Sequence, residues 1–155
     1  MDSPRVDNQP LDRRLRRAVR FGAGCFVLAG AGHLAITAAA RRRPPSTREA
    51  AAHRAMRAVP VRLLGHGHDM AALHQGFSVT MSLLAVGYGS LNLLALRAAP
   101  QAYQRDRSLT ALNTAVAGAG FAISLAAFPT PPVVIFGAGL VAQLRALALT
   151  PGRRR

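Results

Sequence analysis

No lysine occurs in this chain; all twenty basic residues are arginine. Acidic residues are also few: Asp2, Asp7, Asp12, Glu49, Asp69 and Asp106 are the whole set, and all lie outside the long uncharged runs. A transporter that carries protons or cations on a buried carboxylate has no residue to use there. One cysteine, Cys25, excludes an intramolecular disulfide. The apolar run follows Cys25 and does not precede it, so it is no lipoprotein acylation site. GxSxG, P-loop and HExxH patterns are missing as well. Gly22-Ala23-Gly24 and Gly30-Ala31-Gly32 lie inside an apolar run with no strand before them, which makes them close-packing glycines, not a dinucleotide loop. These absences argue against an enzyme.

Long stretches without charge are what the chain does have. Phe21 to Ala40 is one, Met70 to Leu96 a second, and Ser108 to Leu144 a third, interrupted by Pro129, Pro131 and Pro132. A helix of about twenty residues just spans a hydrocarbon core of roughly 30 Å. The pattern predicts an all-α, four-helix transmembrane bundle with spans at about 21–40, 70–96, 108–128 and 133–150. Residues 1–18 read as a polar, Arg-rich tail, 19–150 as one membrane domain, and 151–155 as a basic tail. Signal-peptide apolar regions run to about 7–15 residues; the first stretch is longer, so a retained helix is expected.

The first connection has internal order. After Pro44-Pro45, Ser46-Thr47-Arg48-Glu49 matches a capping box. The helix it starts places Ala51, Ala52, Ala55, Met56 and Val59 on one face and Glu49, His53, Arg54 and Arg57 opposite. This is a short amphipathic helix suited to the bilayer interface, ended by Pro60.

The formal charge of +14 does not point to nucleic acid, because the arginines flank apolar spans and have almost no aromatic neighbours. Arginines so placed set topology and meet lipid headgroups. Arg5, Arg13, Arg14, Arg16, Arg17, Arg20, Arg97, Arg105, Arg107 and Arg153 to Arg155 make twelve on one side. Arg41, Arg42, Arg43, Arg48, Arg54, Arg57 and Arg62 make seven on the other. Both termini are therefore expected to be cytoplasmic. Arg145, inside the fourth span, lies near enough to its end to snorkel. The Ala-rich, all-Arg composition suggests a GC-rich bacterial genome and hence a bacterial cytoplasmic membrane.

Each span carries one stripe of small and polar residues, the kind that lets membrane helices approach and bond. The stripes are Cys25, Ala29, Gly32 and His33; His74, Ser78, Ser82, Ala85, Gly89 and Asn92; Thr110, Asn113, Ala117, Gly120 and Ser124; and Gly139, Gln143 and Ala146. His33 falls about 12 Å and His74 about 8 Å inside one boundary, with His66 and His68 just above. Asn92, Asn113 and Gln143 fall roughly 5–11 Å inside the other. Two polar tiers are expected, histidine in one and amide in the other, with Ser78, Ser82, Asn92, Asn113 and Gln143 in the bundle core.

Intramembrane histidine is a candidate for function. His33 and His74 could ligate a b-type haem, and with His66 and His68 a transition metal. The plainer reading is that each imidazole bonds a neighbouring hydroxyl or carbonyl and fixes the packing.

Gly30-Ala31-Gly32-His33-Leu34, Met56 leading through Leu64-Gly65 to Gly76-Phe77-Ser78, and Gly89-Ser90-Leu91-Asn92-Leu93-Leu94 resemble an uncharacterised family of small bacterial four-span membrane proteins. More distantly, the layout is similar to the DoxX-like proteins. The resemblance covers about residues 20–150. It implies four helices with a longer first connection and carries no activity. The redox-associated members among DoxX-like proteins lend some weight to haem or a redox partner.

The expectation is a non-enzymatic, multi-pass membrane component that assembles with itself or with other membrane proteins in the lipid bilayer. The alternatives are a haem- or metal-binding redox subunit using His33 and His74, and a small-molecule channel or transporter.

Overall fold

The computed structural model describes residues 9–63 and 66–151 of the 155. Residues 1–8, Leu64-Gly65, the basic tail from Gly152 and the side chains of residues 9–12, Leu63 and His66 lie outside the described residues. In chain order the elements are α1 (Gln9–Ala40), α2 (Thr47–Arg57), β1 (Pro60–Leu63), β2 (His66–Asp69), α3 (Met70–Ala98), α4 (Pro100–Arg105), α5 (Arg107–Ala127) and α6 (Thr130–Leu149). Four of these helices are long and apolar enough to cross a membrane: α1 from Arg13, α3, α5 and α6. Only 22% of the most apolar window of each is buried within the chain. Leu28, Ile36, Phe77, Leu91, Ile123 and Val141 are each more than half exposed. Apolar side chains outward and polar ones inward is the pattern lipid requires, where backbone polar groups must be satisfied inside helices. The fold is the expected four-span helical bundle with a short helix in the first connection.

Local chemistry explains the boundaries. Pro44 and Pro45 disfavour helical backbone before them and end α1. Ser46 then caps α2: its hydroxyl accepts from the Glu49 N–H at 3.3 Å, and its own N–H donates to Glu49 Oε2 at 2.8 Å. Asp69 Oδ1 accepts from the Ala72 N–H at 2.7 Å and caps α3. Asp106 does the same for α5 through the Ser108 N–H at 2.8 Å. The fourth span starts at Thr130, earlier than its prolines suggest, because Pro131 and Pro132 occupy the first turn, where an N–H would be unpaired anyway.

Two features depart from the sequence reading. The region expected as a polar tail is helical from Gln9, and Leu15, Ala18 and Val19 pack with Leu96, Tyr103 and Ala146 in a buried cluster. Those three lie at i, i+3 and i+4, an apolar face that the surrounding arginines mask in composition. The second is a hairpin, β1 pairing antiparallel with β2 from Pro60↔Asp69 to Leu63↔His66. His66-Gly67-His68-Asp69 is thus a strand, with Asp69 committed to capping.

The chain divides into two compact units, one of residues up to Ala29 together with those from Ala85 onward, the other Gly30–Leu84. In the first unit, glycines set helix approach. A methyl group at Gly89 would stand 2.6 Å from the Ala23 carbonyl oxygen and 2.7 Å from Val27 Cγ2. Gly120 receives the ring of Phe136 and Gly137 that of Phe121 across the α5–α6 hairpin. Phe26 meets Tyr88 and Phe136 edge-on, at centroid distances of 4.9 and 5.4 Å.

Candidate functional site

Two polar groupings stand out, one in each unit. In the first unit the amides form a closed network. Asn113 Nδ2 donates to Asn92 Oδ1 at 2.8 Å, and the Tyr88 hydroxyl donates to Asn113 Oδ1 at 2.5 Å. The Tyr103 hydroxyl donates to Asn92 Oδ1 at 2.8 Å, and Asn92 Nδ2 to the Tyr88 carbonyl at 3.0 Å. Thr114 Oγ1 reaches the Gln143 carbonyl at 3.1 Å. Asn92, Asn113, Tyr103 and Gln143 are all buried, and burial pushes the Tyr103 phenol up. Gln143 Oε1 alone has no partner among the described residues, with Gly22 close against its side chain. Nearly every donor and acceptor here is spent on another, so the network fixes packing. The two tyrosines were not anticipated from the sequence. They sit at Tyr88, four residues before Asn92, and on the six-residue α4, where Tyr103 is the buried residue.

The second unit, Gly30–Leu84, is open where the first is closed. A cavity of about 720 Å³ is lined by residues from α1, the Arg41–Pro45 segment, α2 and α3. His33 and Thr37 come from α1, and His74, Gln75 and Ser78 from α3. The segment after α1 supplies Arg41 and Arg43, and α2 supplies Glu49, His53, Arg54 and Arg57. His33 Nε2 and Ser78 Oγ are 2.7 Å apart, and Ser82 Oγ donates to the Ser78 carbonyl at 2.8 Å. Ser82 is buried, whereas His33, His74 and Gln75 are exposed and reachable. Arg43 pairs with Glu49. Hydrogen bonds from the Ser46 N–H and hydroxyl, with Arg43 adding its charge, hold the Glu49 carboxyl below the usual range.

The orientation of α2 decides what this cavity is. At 100° per residue, Glu49, His53, Arg54 and Arg57 share one arc, with Ala50 and Met56 in it or at its border, and this arc faces the cavity. Ala51, Ala52 and Ala55 lie on the opposite arc and are exposed. Met56 was expected with the alanines; its position near the edge of the polar arc puts it on the cavity side. The charged arc therefore lines the cavity, and the alanine arc, which also carries Arg48, faces away from it.

His33 and His74, singled out from the sequence for similar depth, line one cavity. His68 is exposed and does not line it. No three His, Cys, Asp or Glu side chains among the described residues converge as metal donors. The cavity's arginines were read from sequence as an outward polar face and as topology signals. The usable clue was that Arg41, Arg43, Arg54 and Arg57 flank a helix starting only a few residues after a span. Comparison with protein-family models, with curated proteins and with solved structures finds no match.

Proposed function

We propose that this chain is a non-enzymatic, multi-pass component of a bacterial cytoplasmic membrane that acts by binding at the polar cavity of residues 30–84. The observation that carries this reading is the orientation of α2, which puts Glu49, His53, Arg54 and Arg57 on the cavity and leaves Ala51, Ala52 and Ala55 off its lining. A charged helix face needs water or a polar ligand. The cavity's size lies in the range of small-molecule sites, roughly 300–1,000 Å³. His33, His74, Gln75 and Ser78 add donors and acceptors to it.

Thiol labelling tests this. In a Cys25→Ala background, Gln75→Cys should react with a membrane-impermeant maleimide in intact vesicles, and Ser82→Cys, at a position 5% exposed, should not. An unreactive Gln75→Cys in vesicles opened on both sides sinks the hydrated-cavity reading. The same labelling bears on transport. A pore along the α3 stripe would need space at Gly89, where α1 is in direct contact.

The haem and metal alternative is supported by His33 and His74 lining the same cavity. The His33–Ser78 bond at 2.7 Å must break before that nitrogen can ligate. An absorption spectrum with elemental analysis on protein purified in mild detergent separates the two readings. A Soret band or stoichiometric metal lost in both His33→Ala and His74→Ala would make this a redox or metal subunit.

A further inference from the structure

We infer that the cavity of residues 30–84 is a site for a phosphate monoester, carried on a lipid or on a soluble molecule; this rests on the binding reading above. Four arginines, Arg41, Arg43, Arg54 and Arg57, line the cavity against one carboxylate, Glu49, a formal surplus of three positive charges. Glu49 is already engaged by Arg43 and Ser46, so it offers little to the other guanidiniums. The charges come from two places, the segment after α1 and one face of α2, where Arg54 and Arg57 are a single turn apart. Guanidinium is planar and donates in a fork that matches phosphate oxygens. A phosphate monoester approaches two negative charges at neutral pH, which offsets the surplus better than a carboxylate does.

Size and position add to this. The cavity, at about 720 Å³, has room for more than one phosphate group, and Ala40, Ala50, Met56 and Ala71 supply apolar wall beside the polar one. A ligand with a phosphate head and a less polar body suits both. Arg41 and Arg43 directly follow the end of a span, the part of a membrane protein that meets lipid phosphates. Arg42 and Arg48 belong to the same connection but do not line the cavity. They give the internal control: loss of equal charge, off the site.

The test uses the full chain in a neutral detergent, titrated calorimetrically at physiological salt with dioctanoyl phosphatidic acid, dioctanoyl phosphatidylcholine and glycerol 3-phosphate. Phosphatidic acid should bind at one site per chain and phosphatidylcholine at least tenfold more weakly. Arg54→Gln with Arg57→Gln should weaken phosphatidic acid at least tenfold, and Arg42→Gln with Arg48→Gln less than twofold. Glycerol 3-phosphate binding within tenfold of phosphatidic acid assigns a soluble ester, and weaker binding assigns the lipid. Equal affinity for both lipids, equal losses in the two double variants, or no binding of any phosphate would overturn the proposal. If Arg54→Gln with Arg57→Gln loses helix by circular dichroism, Glu49→Gln decides. Removing the opposing carboxylate should tighten phosphatidic acid several-fold, and no change counts against the site. A Gln75→Cys that labels while phosphate fails to bind defeats this inference and leaves the binding reading standing. An unlabelled Gln75→Cys defeats the binding reading itself.

Discussion

Gly87 and Gly89 sit two residues apart on α3 and differ in what a methyl group would meet: nothing within 4 Å at Gly87, the Ala23 backbone and Val27 at Gly89. Gly89→Ala should therefore push α1 and α3 apart and cost about 1–3 kcal/mol. Gly87→Ala should be neutral or stabilising by up to about 1 kcal/mol, from helix propensity. Cys25, the sole cysteine and a buried one, reports both, since a thiol-reactive dye gains access on thermal unfolding. The same assay ranks the polar residues. Asn113→Ala removes one of the two donors on Asn92 Oδ1 and leaves the Tyr88 hydroxyl without its acceptor and should cost about 1–2 kcal/mol. His33 is exposed and makes one described bond, to Ser78, so His33→Ala should lower the midpoint much less. An equal loss in both variants would mean that the histidine is as much a packing group as the asparagine.

Among the elements, α2 is the most legible in the string. Its capping box, Ser46 to Glu49, can be read four residues at a time because the interaction is local. Its pH response follows from the same bonds. The Glu49 carboxyl is held below the usual range by Ser46 and Arg43, so its contribution to the folded state is present above that range. It is lost as pH falls through the lowered value. Protection of the α2 backbone amides against exchange, taken relative to the intrinsic rate at each pH, should fall on acidification below the carboxylate range, and Glu49→Ala should abolish that step. Other elements were hidden. The β1–β2 hairpin has strands of only four residues, Gly67 among them, too short for period-two alternation to show. The α1 segment before Phe21 was masked by its arginines; its helicity depends on Leu15 and Val19 finding Leu96 and Tyr103, contacts more than 70 residues distant in sequence.

At the level of the whole chain, four helices fit for crossing a membrane place the first and second connections on opposite faces of any bilayer they span. The arginine asymmetry expects both termini in the cytoplasm. A reporter active only outside the cytoplasm should be silent when fused after Arg155 and active when inserted in the Arg41–Pro45 segment; the reverse result would invert the topology. The seven arginines of the first connection are many for an outward loop. Four of them lining the cavity give those charges a reason to be there that topology does not.

What the sequence determined by itself was the solvent: uncharged runs of span length, acids kept outside those runs and one small-polar stripe per span leave a membrane bundle as the packing that satisfies its backbone. The stripe residues Asn92, Asn113, Gln143 and Ser82 are buried because helical periodicity is a local property that composition cannot disguise. Only the tertiary structure decided which way α2 faces. An amphipathic helix at an interface has two polar directions open to it, bulk water or a cavity made by neighbours, and both give the same periodicity. The choice rests on where α1 and α3 put His33, His74 and Ser78, and that is a matter of contacts far apart in the chain.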